Sequence, residues 1–139
     1  MIKRLSHVCL STRDLKKIID FYCGLLSCEI VHEFRNQQGE LYGIFILINN
    51  GTYLEFFQEQ YPKPPGGMFR HLCLEVEDIH KFANVIREKG FNVEVSRGRT
   101  DKVLQFWIND PDGNQVEFHQ YDQDSVQYQY TKKLRTVGS

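Results

Sequence analysis

The chain repeats itself, and this limits what it can fold into more than any other feature. His7-Val8-Cys9-Leu10 returns as His71-Leu72-Cys73-Leu74, and Asp14 returns as Asp78. Leu15, Ile18, Ile19 and Tyr22 are matched at the same spacing by Ile79, Phe82, Ala83 and Ile86. Toward the end of each half the spacing shortens by two residues, so that Gly51 matches Gly113, Glu55-Phe56 matches Glu117-Phe118 and Gln58 matches Gln120. Loops absorb such length changes. A repeat of this kind is one supersecondary unit used twice.

Each half reads in the same order. Residues 4–11 and 69–77 alternate as strands do. Asp14 and Asp78 stand where a helix N-cap stands. Positions 15, 18, 19, 22 and 26 form one helical stripe, as do 79, 82, 83 and 86, and Gly90 closes the second helix. Three strands follow in each half, over 28–35, 41–49 and 52–58, then over 91–97, 103–109 and 114–121. Asn49-Asn50-Gly51 and Asp110-Pro111-Asp112-Gly113 mark the last turns. The expected architecture is α+β, with two tandem βαβββ modules forming a curved mixed sheet with a concave site. The modules are expected over residues 1–58 and 69–121. A Pro/Gly-rich linker over 59–68 joins them, and a polar C-terminal tail over 122–139 follows. Half a chain of this length buries little core alone, so the halves, or those of two chains, must pack together.

Composition removes several function classes. Seventeen basic residues face eighteen acidic ones, a formal net charge of −1, which excludes the basic excess of a non-specific nucleic-acid binder. No apolar run approaches the roughly 20 residues of a membrane-spanning helix. The start runs straight into strand-like sequence without a secretory signal, so the expectation is a cytoplasmic protein. Its four cysteines are then reduced thiols.

Strand geometry sends alternate side chains to opposite faces. Val8, Leu10, Leu54 and Phe56 share the face under a helix, while His7, Cys9, Tyr53, Glu55 and Phe57 share the other. In the second half Leu72, Leu74, Val116 and Phe118 oppose His71, Cys73, Glu75, Gln115, Glu117 and His119. One His and one Glu thus recur at the same places on the second face. Two imidazoles and two carboxylates suit a divalent ion such as Ni, Zn, Mn or Fe, and suit neither calcium nor a soft thiolate centre. His7, Glu55, His71 and Glu117 are therefore the expected metal ligands. His32, His80 and His119 are read as structural, Cys9 and Cys73 as small apolar fillers.

At these residues the chain resembles the vicinal oxygen chelate superfamily, which includes glyoxalase I, extradiol dioxygenases, methylmalonyl-CoA epimerase and the fosfomycin- and bleomycin-resistance proteins. The resemblance runs from residue 1 to about 121. It is carried by His7-Val8-Cys9-Leu10-Ser11-Thr12-Arg13-Asp14-Leu15, Asp20-Phe21-Tyr22, Gly24-Leu25-Leu26, Tyr53-Leu54-Glu55-Phe56, Arg70-His71-Leu72, and Asp110-Pro111-Asp112-Gly113-Asn114 leading to Glu117-Phe118. Within that superfamily, His, Glu, His, Glu is the ligand pattern of bacterial glyoxalase I, the lactoylglutathione lyase. The resemblance implies a lyase or isomerase working by proton transfer through a metal-chelated enediolate, with Glu117 as first candidate for the catalytic base and Glu55 as second. The implied substrate is an α-oxoaldehyde–thiol adduct or another vicinal-oxygen compound, and the implied assembly is a homodimer. The site lies within one chain or is shared between two. Other readings are a fosfomycin-type thiol transferase, an extradiol-type dioxygenase, or a non-catalytic small-molecule binder.

The chain departs from glyoxalase I where that family meets glutathione. Ser11 replaces an Arg four residues after the first His, Glu59 replaces an Asn four residues after the first Glu, and Arg97-Gly98-Arg99-Thr100-Asp101-Lys102 replaces a glycine-rich loop. That basic loop is either an anion contact or a solvated turn.

Overall fold

The computed structural model describes residues 5–60, 69, 71–129 and 132. Most of the expected linker and the end of the expected tail lie outside them, as does Arg70. The described chain forms two compact units, Met1–Gly67 with Asp110–Gly113, and Met68–Asn109 with Asn114–Ser139.

In the first unit β1 (His7–Thr12) leads into α1 (Leu15–Ile19), followed by β2 (Glu29–Arg35), β3 (Leu41–Asn49) and β4 (Thr52–Gln58). The strands form a four-stranded sheet in the order β1-β4-β3-β2. β1 pairs with β4 in parallel, and the other pairs are antiparallel. Asp14 caps α1 by accepting from the Lys17 amide at 3.2 Å. The stripe that predicted a single helix behaves differently after one turn: Asp20–Leu25 continues as a π-helix, with the Leu26 amide reaching back to Phe21 O at 3.0 Å. The wider turn ends at Ser27, whose φ is +59°. Leu15, Ile18, Phe21 and Tyr22 are buried with Ile44, Ile46, Leu54 and Phe56. The Tyr22 ring lies 5.0 Å from that of Phe56, and its hydroxyl donates to Asp110 Oδ2 at 2.9 Å.

The second unit repeats the order with β5 (His71–Glu75), α2 (Ile79–Glu88), β6 (Ser96–Arg97), β7 (Leu104–Asn109) and β8 (Gln115–Gln120), in a sheet of order β5-β8-β7-β6. Asp78 caps α2 through the Lys81 amide, and Gly90 ends it at φ +96°. The strand expected over 91–97 shrinks to two residues. Arg87 Nε donates to Val93 O at 2.9 Å, and the Phe91 amide turns back to Ile86 O at 3.3 Å, so the helix takes backbone groups that a ladder would need. Ile79, Ala83 and Ile86 are buried, as are Phe106, Ile108, Val116 and Phe118. The Phe106 and Phe118 rings stack at 4.9 Å.

A matched pair of glutamines explains one feature of the repeat. Gln58 Oε1 accepts from the Leu15 amide at 3.0 Å, and Gln120 Oε1 accepts from the Ile79 amide at 2.8 Å. Each last strand thus satisfies a helix N-terminal donor that the helix itself cannot. Past β8, residues 126–129 form a helical turn. It is held by the Val126 amide to Asp101 O at 3.0 Å and by Gln127 Nε2 to Asp101 Oδ2 at 3.2 Å.

Candidate metal centre

The second unit builds its polar face around Glu117. In the parallel β5–β8 pair, His71 is opposite Gln115, Cys73 opposite Glu117 and Glu75 opposite His119. On the other side of β8, Trp107 is opposite Glu117 and Gln105 opposite His119. Alternation turns this set away from the α2 side. Glu117 is only 5% exposed and His119 only 8%. A carboxylate so far from water must be held by donors, and three surround it. His71 Nε2 lies 3.0 Å from Oε2, His119 Nε2 lies 2.6 Å from Oε1, and the Cys73 thiol donates to the same carboxylate. A carboxylate only accepts, so Nε2 is the protonated nitrogen of each imidazole. His119 Nδ1 is then left as a buried atom with no hydrogen-bond partner among the described residues. The Trp107 ring meets His71 edge-on, with centroids 4.8 Å apart. The Cys73 thiol is pushed up to about 12, first by desolvation of its sulfur and then by the charge and hydrogen bond of Glu117. It stays a thiol at neutral pH.

The first unit carries the same diagonal. His7 is opposite Tyr53, and Cys9 opposite Glu55. His7 and Glu55 therefore stand to one another in register as His71 and Glu117 do. Cys9 donates to Glu55 as Cys73 does to Glu117, and desolvation, then Glu55, raises its thiol to about 11. The surroundings differ. Phe45 is opposite Glu55 on β3 and stacks on Tyr53 at 4.9 Å, while the His7 ring meets Phe45 at 5.5 Å. Phe57 lies over Gly43, where a Cβ would come within 2.5 Å of its ring. Phe34 packs against that ring at 5.0 Å. The first unit presents rings around its glutamate, whereas the second presents imidazoles and a thiol.

The structure thus brings His71 and Glu117 into contact and gives His7 and Glu55 the equivalent register. It also sharpens three readings. His119 is buried and hydrogen-bonded, as a structural histidine is, but its partner at 2.6 Å is Glu117 itself. The spacing Glu-x-His on a strand was the signal, since it puts both side chains on one face. Cys9 and Cys73 are thiol donors to the glutamates rather than apolar fillers. In the basic loop, Arg97 is engaged by Asp122 at 2.7 Å and by Lys102 O at 2.6 Å, which favours the turn reading. Ser11, where the resemblance expects Arg, faces Phe57 across β1 and β4.

The donors fit a divalent ion. Cys73 Sγ, a Glu117 oxygen and a His119 nitrogen all lie within 4.8 Å of one another. Thiolate, imidazole and carboxylate are ligands of the zinc class.

Comparisons with known proteins agree with this fold. Residues 4–118 match the model of the Glyoxalase/Bleomycin resistance protein/Dioxygenase superfamily. The chain is 28% identical over 137 residues to a protein named lactoylglutathione lyase from Neisseria meningitidis serogroup A, covering 91% of this chain and 98% of that one. Among solved structures, a putative glyoxalase family protein from Bacillus anthracis matches with a TM-score of 0.71 at 21% identity, over 88% of this chain and 98% of the other. An antibiotic binding protein from Streptomyces sp. CB03234 matches with a TM-score of 0.67 at 23% identity, over 87% and 98%.

Proposed function

Because the chain belongs to the Glyoxalase/Bleomycin resistance protein/Dioxygenase superfamily, we propose that it is a divalent-metal-dependent lyase or isomerase of the glyoxalase I type. The observation that carries the reading is Glu117, a buried carboxylate gripped at both oxygens by imidazoles. Its partner in the repeat is Glu55, and the similarity to a lactoylglutathione lyase adds support.

In this reading His7, Glu55, His71 and Glu117 hold the ion, with Ni, Zn, Mn and Fe all compatible with two imidazoles and two carboxylates. When bound, the ion supplies Lewis acidity to two neighbouring oxygens of the substrate. The substrate class is an α-oxoaldehyde–thiol adduct or another small molecule with vicinal oxygens. Glu117 takes a proton from one carbon and returns it to the next, first as base and then as acid. His119 holds Oε1 and His71 holds Oε2, so Oε2 is freed to move a proton only once the His71 imidazole turns to the ion. Glu55, the second candidate for this task, has the Cys9 thiol in an equivalent place among the described residues. The protein acts as a cytoplasmic homodimer that binds neither nucleic acid nor membrane. Among the described residues no helix is long and apolar enough to cross a bilayer.

The test is turnover of the methylglyoxal–glutathione hemithioacetal by protein stripped of metal and reloaded with Ni, Zn, Mn or Fe. Metal-dependent turnover is expected, and Glu117→Gln should lower kcat by about 10²–10⁴-fold, the usual worth of a general base. Turnover that is indifferent to metal, or unchanged in Glu117→Gln, sinks the reading. Metal binding without turnover moves the substrate to another vicinal-oxygen compound. A second reading, a small-molecule binder without turnover, draws support from the ring-lined face of the first unit and from the fold shared with the antibiotic binding protein of Streptomyces. It is the reading left if no metal binds.

A further inference from the structure

We propose that the second unit has a metal site of its own, made by Cys73 Sγ, Glu117 and His119, which takes zinc or cobalt without help from His7 or Glu55. This goes beyond the four-ligand reading and shares only Glu117 with it.

The three donor atoms already lie within 4.8 Å of one another. In a tetrahedral zinc site, bonds of about 2.0–2.3 Å place donor atoms about 3–4 Å apart. The His119–Glu117 contact of 2.6 Å is a hydrogen bond shorter than that, so an ion replacing its proton would push the pair apart by less than about 1 Å on the same scale. Charge favours the same occupant. A thiolate and a carboxylate offset a divalent cation, so the complex of ion, Cys73, Glu117 and neutral His119 carries no net charge in a place where isolated charge is costly. The thiol proton leaves to solvent as the sulfur binds.

His119 Nδ1 is buried and has no hydrogen-bond partner among the described residues, whereas the other ring nitrogen is used. An imidazole in a packed sheet normally satisfies both nitrogens. Ligation through Nε2 would move the ring proton to Nδ1, so His119 stays neutral and only the thiol proton leaves the site. The two oxygens of Glu117 also point to different neighbours, Oε2 to His71 and Oε1 to His119. The carboxylate therefore borders two sites, one on each side. The thiol sets their preferences apart. Sulfur selects zinc and cobalt and excludes magnesium, calcium and manganese, while the nitrogen and oxygen set proposed above has no such bias. Three protein donors leave a fourth position open, as in catalytic zinc sites.

The test is titration of the metal-free full chain with cobalt(II), read by absorption, followed by displacement with zinc. The expected result is a near-ultraviolet thiolate-to-cobalt charge-transfer band that zinc abolishes. Cys73→Ser should remove the band and weaken binding at least tenfold, and His119→Gln should weaken it at least tenfold. Cys9→Ser and the double change His7→Ala with Glu55→Gln should keep the band and an affinity within about twofold. Far-ultraviolet circular dichroism checks each variant, and the band of the unaltered protein needs none of them. No band in the unaltered protein overturns the proposal, as does a band that survives Cys73→Ser. If binding instead fails in His7→Ala with Glu55→Gln and survives His119→Gln, this site is refuted while the lyase reading stands. A band without turnover of any vicinal-oxygen substrate does the reverse.

Discussion

Tyr22 carries a hydroxyl into the apolar core of the first unit and directs it at Asp110, itself buried. Tyr22→Phe keeps the ring and leaves the carboxylate one donor short, so the expected loss is about 1–2 kcal/mol at neutral pH, read from denaturant midpoints. The pH dependence has a definite sign. Burial, then the charge and hydrogen bond of Asp110, hold the phenol well above its ordinary value. In the unfolded chain the phenol ionises near pH 10. A raised folded-state pKa means that its contribution is complete below about pH 10 and fades as pH climbs beyond. Unaltered protein should lose stability above pH 10 faster than Tyr22→Phe, and parallel profiles over pH 8–11 would contradict the assignment. Tyr22 was visible in the sequence as a stripe residue. Its partner was not, because Asp110 reads locally as the start of a turn and no periodicity links it to a helix so far back in the chain. His119 was hidden for a related reason. A histidine on a strand says nothing of its burial, and the carboxylate two residues earlier gains meaning only once both are shut away from water.

At the scale of elements, the two helices show what a repeat fixes and what it leaves free. The capping aspartates, the apolar stripes and the strand order were legible, because each rests on residue types at short spacing. The glutamine that reaches each helix from its own last strand was visible only as a coincidence of letters. Gln120→Leu should cost about 1 kcal/mol by leaving the Ile79 amide without its acceptor, and hydrogen exchange at that amide should quicken. A protected amide in the variant would show that another group had taken over. The helices end differently. Gly90 accepts a positive φ without strain, whereas Ser27 does so as an L-residue, after a π turn that no stripe predicts. Ser27→Gly relieves a clash worth about 1–2 kcal/mol but adds freedom to the unfolded chain. The expected net is a stabilisation of about 0.5–1 kcal/mol, seen as a higher melting temperature. A lower one would mean that the serine side chain holds the turn. The contraction of β6 also escaped the sequence, since nothing local announces that the Arg87 side chain will occupy Val93 O.

Across the whole molecule the symmetry of letters is broken in chemistry. His-x-Cys and Leu-Glu-Phe or Val-Glu-Phe repeat, yet one glutamate sits among Phe45, Tyr53 and Phe57 and the other among His71, Cys73 and His119. The family was legible because ligand strands and turns recur together. Which half does which job was not, because it depends on the strands beside them, where the repeat is weakest. The turn between β7 and β8, Asp110–Gly113, belongs with the first unit rather than with the strands it joins. A fragment of residues 1–67 should therefore lack cooperative unfolding, and residues 68–139 supplied in trans should restore it. Cooperative unfolding of the first fragment alone would contradict this. The same arrangement bears on inheritance. A duplicated gene is ordinarily free to discard one copy, but here the later copy supplies Asp110, the hydrogen-bond partner of the buried Tyr22 of the earlier one, and discarding it would leave that hydroxyl unpaired.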